Sequence, residues 1–285
     1  MSIEKNKTEG GTLYLVGTPI GNLADMSDRA KKVLSEVDFI AAEDTRNSLK
    51  LLSLFGIRKE LVSYFEHNKK SSGERITARL LSGESCALIT DAGMPAISDP
   101  GEDIVRSCAE AGIPVMVVPG PCAAVSALAL SGLGTARFAF EGFLPANKGE
   151  RKKRLLEVKY ERRTLIFYEA PHKLKATLSD MKDTFGADRK ISLSRELTKL
   201  NEETLRMTLK EATEFFEKNE PKGEFALVVE GSNEDMPKED NSLIQLSPEE
   251  HVAHYESEGF ARMDAIKKAA KDRGMSKSDF YKILI

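Results

Sequence analysis

The chain has 285 residues, 41% of them hydrophobic and 31% charged, with a formal net charge of −3. That length admits two domains and a small appendage, and the absence of a long apolar run excludes a bundle of membrane helices. A mildly acidic balance argues against a protein that coats nucleic acid indiscriminately.

Residues 1–10 are polar and lack the apolar core and cleavage site of a secretory signal, so they are expected to form a disordered lead-in. Cys86, Cys108 and Cys122 are odd in number and lie in apolar surroundings. They read as reduced packing residues of a cytoplasmic protein, with only Cys122 bordering a motif. Short β-rich runs at 12–17, 39–42, 61–64, 86–90 and 115–118 alternate with helical patterns. Ser27 can cap a helix running to Glu36, and 101–111 and 122–131 carry apolar residues at helical spacing. This alternation predicts an N-terminal α/β domain over 11–135, with a mainly parallel sheet covered on both faces and ligands at the C-terminal strand ends.

A second set of strands at 138–142, 164–168, 190–194 and 224–229, with helices at about 150–160, 172–185 and 210–219, predicts a C-terminal α/β domain over 136–231. Residues 232–248 are polar and turn-rich and read as a linker. Beyond them a helix at 262–273, a turn at Gly274 and Ser276, and a helix from Lys277 predict a helix-turn-helix-like, RNA-binding tail over 249–285.

The net charge hides an asymmetry: residues 147–175 hold ten Lys/Arg against four Glu, and 259–285 hold seven against three Asp. Two basic segments on a mildly acidic body suit selective contact with phosphates. Lys152, Lys153 and Arg154, and Lys267, Lys268 and Lys271 in the tail, are the candidate RNA contacts. A solvated helix face is the alternative for 151–163.

Four motifs fall at strand ends: GTPIGN (17–22), AEDTR (42–46), TDAGMPAISDPG (90–101) and PGPCAA (119–124). Gly and Pro cluster where a backbone must turn sharply and approach a ligand closely, so together these loops outline a pocket. Neither GxGxxG nor GxxxxGK[ST] occurs, which disfavours a dinucleotide fold or a nucleoside triphosphatase. His251 and His254 are three apart, but no further ligands accompany them. They read as a solvated helix face, and no metal is expected. His172 either caps the helix that follows it or touches RNA.

Gly17-Thr18-Pro19-Ile20-Gly21-Asn22-Leu23, Ala42-Glu43-Asp44-Thr45-Arg46, Asp91-Ala92-Gly93 with Ser98-Asp99-Pro100-Gly101, Pro119-Gly120-Pro121, Arg195-Glu196-Leu197-Thr198-Lys199 and Lys222-Gly223-Glu224 stand at these loops. With them the chain resembles the ribosomal RNA small-subunit methyltransferase I family, a branch of the tetrapyrrole methylase superfamily, from about 11 to 231 and again in the tail. The resemblance implies a homodimer of two α/β domains with S-adenosylmethionine in the cleft between them. It also implies methylation of the 2′-oxygen of a cytidine in the decoding region of small-subunit (16S) ribosomal RNA, leaving S-adenosylhomocysteine. Carried over, Pro19 lies in the first loop, Gly93, Met94 and Ile97 fall where relatives contact the cofactor's ribose and methionine portions, and Gly120, Cys122 and Ala123 follow on the next loop. Met94 stands where the superfamily has aspartate, and Cys122 where serine is usual.

The chemistry of the residues agrees. A sulfonium methyl asks mainly for an acceptor oxygen held in line behind it. A ribose hydroxyl is a weak nucleophile, so a carboxylate or neutral lysine should help remove its proton, and Asp44, Asp91, Glu196 and Lys199 are the candidates. Arg46 and Arg195 suit bidentate phosphate contact. Surface ion pairing is the competing role for each. Two other functions compete: a methyltransferase for a corrin or porphyrin precursor, which needs neither a basic helix nor such a tail, and a non-catalytic RNA-binding module with a relic cofactor site, against which four intact loops weigh.

Overall fold

The computed structural model describes residues 7–235 and 242–284. The chain to Glu234 forms one compact unit and Asp235 onward a second.

In the first unit β1 (Leu13–Val16), β2 (Phe39–Ala42), β3 (Glu60–Ser63), β4 (Cys86–Ile89) and β5 (Val115–Val118) form a sheet in the order β3-β2-β4-β1-β5. Every pair is parallel. Central strands of such a sheet are covered on both faces, and FIAA in β2 and CALI in β4 are buried at every position. Helices α1 (Asp28–Glu36) and α2 (Thr45–Leu54) pack on one face through Ala30, Val33, Leu34 and Leu52. Helices α3 (Lys69–Leu81) and α4 (Glu102–Glu110) pack on the other through Ile76, Leu80, Ile104 and Cys108. Ser27 accepts from the Ala30 amide and starts α1 where its capping chemistry predicts.

Part of the expected lead-in is tied down. Thr8 donates to Glu36 at 2.6 Å and the Glu9 amide to the Tyr14 hydroxyl at 2.8 Å. Residues 1–6 of that lead-in lie outside the described residues, as do 236–241 of the expected linker.

The second sheet, β6 (Phe138–Phe143), β7 (Thr164–Glu169), β8 (Lys190–Arg195), β9 (Glu203–Thr208) and β10 (Phe225–Val229), runs β6-β7-β10-β8-β9. Only β6 and β7 are parallel. Strand β9 has no counterpart among the strands expected from sequence. Leu205 and Met207 turn to the core, while Glu203 and Arg206 dilute the run's hydropathy. Helices α6 (Lys148–Glu157), α7 (Pro171–Phe185) and α8 (Leu209–Lys218) cover one face. The other face takes α5 (Ala123–Leu130) from the N-terminal half: Ala124, Ala127 and Leu128 pack on Ile166, Ala226 and Val228. Arg206 of β9 donates to the Leu130 carbonyl at the end of α5. The two α/β halves thus share a core.

The second unit has α9 (Ser242–Gln245), α10 (Pro248–Ser257), α11 (Arg262–Asp272) and α12 (Lys277–Ile283) around Val252, Ala265, Ile266, Ala269, Ala270 and Phe280. The last part of the expected linker, 232–248, is therefore helical. Ser247 and Glu250 form a capping box with Pro248 in the first turn, so residues that resemble a turn are a helix start. The expected solvated face at 251 and 254 is corrected as well: His251 is fully buried, while His254 is partly exposed beside Glu258. Arg273 Nε, which can only donate, lies 3.1 Å from His251 Nδ1, so the proton sits on Nε2, facing Asp272 at 3.2 Å. Burial pushes this histidine below its ordinary pKa. Among the described residues no three His, Cys, Asp or Glu side chains gather to hold a metal, and no helix is long and apolar enough to cross a membrane.

Arg151, first of four consecutive basic residues on α6, is buried. Its guanidinium reaches Asp180 of α7 at 2.7 and 2.9 Å and donates to the Ala146 carbonyl at 3.1 Å. Removing one partner of a buried pair strands the other charge, so Asp180→Ala should cost about 3–5 kcal/mol in a urea titration. A loss under about 1 kcal/mol, the range of exposed pairs, would mean that α6 is anchored by other contacts.

Candidate active site

The C-terminal ends of β1, β4 and β5 converge, and backbone holds their loops together. The amide of Thr18, just after β1, donates to the Gly93 carbonyl at 2.9 Å, and the Gly93 amide returns the bond at 3.1 Å. Gly17 and Gly120 touch main chain to main chain: a Cβ on Gly120 would sit 2.8 Å from the Gly17 Cα. Gly93 has φ +87°, a conformation that a side chain with a Cβ rarely adopts.

The same loop and one other carry non-glycine residues in the left-handed region. Ala96 and Ser98 (φ 65° and 66°) lie in the loop between β4 and α4, and Glu196 and Thr198 (φ 52° and 66°) in the loop after β8. Such backbone costs of order 1–3 kcal/mol per residue and clusters at functional sites. Both loops border one cleft of about 240 Å³, with Phe143, Tyr168 and Glu169 on its far wall. The two halves meet here: the Lys199 stem lies where a side chain on Gly21 would sit, and Ser98 lies against Gly142 of β6.

Of the residues expected to hold a cofactor, Gly93, Met94, Ile97, Cys122 and Ala123 line this cleft. Pro19 lines a smaller cavity with Asn47 and Asp91, and Gly120 lines neither cavity but lies against the Gly17 main chain. Ile20, Met94, Ile97 and Leu197 give an apolar lining, and Glu196, Lys199 and Asp99 supply polar groups. That donor set fits a ligand that is part apolar and part zwitterionic.

The expected proton acceptors separate. Glu196 and Lys199 line the cleft but satisfy each other at 3.0 Å. Asp44 caps α2 and grips Arg46 through two hydrogen bonds of 3.1 and 2.8 Å, and that guanidinium holds its carboxyl down at about 2. Asp91 lies on the smaller cavity and accepts from Asn47 at 2.9 Å.

Sequence reasoning missed Asp99, Phe143, Tyr168, Glu169 and Ser194 as lining residues. Asp99 is pushed up to about 6, first by burial and then by the Glu43 charge. Burial also raises Glu43 above its ordinary value. Tyr168, raised to about 12 by burial, accepts from the Ala124 amide at 2.9 Å. The SDPG motif holds Asp99 in plain view, but only the fold turns it inward.

The expected RNA contacts are unequally free. Arg195 pairs with Glu203 at 2.7 Å, Arg154 with Glu141 and Glu157, and Lys152 lies 3.6 Å from Asp180. Lys268 lies over the Phe260 ring at 3.8 Å. Lys153, Lys267 and Lys271 are exposed.

The family model for tetrapyrrole (corrin/porphyrin) methylases matches residues 12–213. The chain is 51% identical to ribosomal RNA small subunit methyltransferase I of Halalkalibacterium halodurans, over 98% of this chain and 96% of the relative. It is 49% identical to the protein of that name from Bacillus subtilis, over 96% and 94%. A crystal structure of uroporphyrin-III-C-methyltransferase from Thermus thermophilus superposes with a TM-score of 0.54 at 22% identity, covering 77% of this chain and 94% of that one; at this identity the likeness is one of fold.

The loop crossing under the cleft gives a test of the scaffold. Gly120→Ala forces a methyl group against the Gly17 backbone and should destabilise by about 1–3 kcal/mol, the usual cost of overpacking. Gly134→Ala, whose new methyl would meet only the Thr164 hydroxyl at 3.7 Å, is the control. Equal thermal melts for the two variants would show that the loops can part without cost.

Proposed function

The chain belongs to the ribosomal RNA small subunit methyltransferase I family of tetrapyrrole methylases, and we propose that it methylates the 2′-oxygen of a cytidine ribose in the decoding region of small-subunit (16S) ribosomal RNA, in the cytoplasm. The observation that carries this reading is the fit of near-full-length likeness to a cleft in which Gly93, Met94, Ile97, Cys122 and Ala123 stand together. S-adenosylmethionine, bound there, supplies an electrophilic methyl group on sulfur. Gly93 presents main chain without side-chain obstruction, and Ile20, Met94, Ile97 and Leu197 exclude water from the apolar part of the ligand. The Glu196–Lys199 pair offers one charge of each sign to an amino-acid moiety. For RNA, Lys153 on α6 and Lys267 and Lys271 on α11 are exposed cations suited to phosphate. A homodimer is part of the proposal, supported by the exposed apolar Met116 and Val117 on edge strand β5 and Val125 on α5.

The function is tested by mapping ribose methylation by mass spectrometry in small-subunit RNA from cells with and without the protein. One cytidine should lose its 2′-O-methyl group in the deletion strain, and an unchanged map would refute the reading. The RNA surface is tested separately with Lys153, Lys267 and Lys271 each changed to Glu. Each lost phosphate contact should flatten the log–log salt dependence of subunit binding by about one unit, with S-adenosylmethionine affinity unchanged. A wild-type slope in all three would return these lysines to the solvated surface.

A further inference from the structure

We propose that Phe143 is the platform on which the base of the acceptor nucleotide stacks, a proposal that rests on the methyl-transfer reading above. Three aromatic residues line the cleft: Phe143, Tyr168 and Phe225. Phe225 is buried in the core of the second sheet and Tyr168 is partly buried, whereas Phe143 is 59% exposed. That exposure places its ring at the mouth of the cleft, outside the part that encloses a small ligand.

A bulge in β6 puts the ring there. Phe138, Ala139 and Phe140 pair in step with Thr164, Leu165 and Ile166; the register then skips Glu141, so that Gly142 pairs with Phe167 and Phe143 with Tyr168. In an unbroken register Phe143 would stand opposite Glu169, on the face that Phe167 turns to the core. The extra residue turns it to the other face, beside Tyr168. Gly142 carries the bulge at φ 64°, and a Cβ there would meet the Ser98 hydroxyl at 3.2 Å. Turning a phenyl ring from core to cleft forfeits apolar burial, which favours a ligand for that ring over packing.

The ring is backed by other aromatics. Tyr168 lies 5.5 Å from Phe143, and Phe140 lies 5.0 Å from Tyr168 in an edge-to-face contact. The Tyr168 hydroxyl accepts from the Ala124 amide at 2.9 Å, which ties this row to α5. Unpaired RNA bases are recognised by stacking on such side chains. Beyond Phe143 the chain runs through Leu144 and Pro145 into α6, where Lys148 and Lys153 are exposed, so cations for flanking phosphates follow the ring directly. A base held on Phe143 restrains its own ribose, which lets the hydroxyl meet the methyl group in line. Stacking accepts any base, so Phe143 orients the nucleotide without selecting cytidine.

The test compares wild type with Phe143→Ala, Phe143→Leu and Phe143→Tyr in methyl transfer to purified small subunits. Phe143→Ala should lose about 5–150-fold in kcat/KM, the range that stacking of one base contributes. Phe143→Leu keeps apolar bulk without an aromatic face and should stay impaired. Phe143→Tyr restores the face and should return to within about three-fold of wild type, less than one stacked base is worth. In calorimetry all three should bind S-adenosylmethionine within about two-fold of wild type, well under the ten-fold that 1.4 kcal/mol represents. Light scattering should give each the mass of wild type, and thermal melts should barely move, because the ring is exposed.

Phe143→Ala at a rate within about three-fold of wild type overturns the assignment. Wild-type activity in Phe143→Leu does so too, since the ring would then be only an apolar wall. A larger loss of S-adenosylmethionine affinity would make Phe143 a cofactor contact, and a changed mass would place it in a subunit interface; either result overturns the proposal. These outcomes all require an active wild type. A wild-type protein that methylates no ribose overturns the functional reading itself, and the assignment with it.

Discussion

Everything about the cleft depends on where α5 packs. The helix leaves the first sheet directly after the Gly120 turn, yet its Ala124, Ala127 and Leu128 face lies on Ile166, Ala226 and Val228 of the second sheet. Small residues at 124 and 127 let helix and sheet approach closely, and Arg206 secures the far end at the Leu130 carbonyl. One apolar helix thereby fixes the spacing of two sheets whose loops border one cleft. The strained loops between β4 and α4 and after β8 become affordable once both ends of the cleft are held this way.

The electrostatics follow from that packing. At the surface Asp44 pairs with Arg46, whereas Asp99 and Glu43 are drawn into partial burial with no cation paired to them among the described residues. The cleft therefore holds its carboxylates in different states: one side chain neutralised by Lys199, another raised and basic. The same logic acts on the basic helix, where Arg151 is spent on Asp180 and structural demand takes a charge that counting assigns to RNA.

Much of this was legible in the sequence, and the reasons differ by element. The parallel sheet could be read because fully buried strands such as FIAA and CALI are apolar at every position and alternate with helices of clear period. Strand β9 could not, because an edge strand need bury only Leu205 and Met207. The loops at 17, 90 and 119 announced a pocket through Gly and Pro; Ile20, Gly93, Met94, Cys122 and Ala123 from them line the cleft, whereas Pro19 lies on the smaller cavity and Gly17 and Gly120 line neither. The proton acceptors were the obscure part. Composition offers many acidic side chains, and only three-dimensional neighbours separate the helix cap at Asp44 from the partly buried carboxylate at Asp99. His251 was obscured likewise: its burial depends on Arg273 and Asp272, more than twenty positions later in the chain.

The crossing of Gly17 over Gly120 sets a steric limit on the chain. The loops after β1 and β5 meet here main chain to main chain, so their spacing is set by backbone and not by side chains. The Met94 sulfur packs against the same crossing and carries that spacing to the wall of the cleft. A side chain at either glycine would strike the main chain of the other, so neither substitution can compensate for its counterpart, and each position tolerates glycine alone unless the loops after β1 and β5 part.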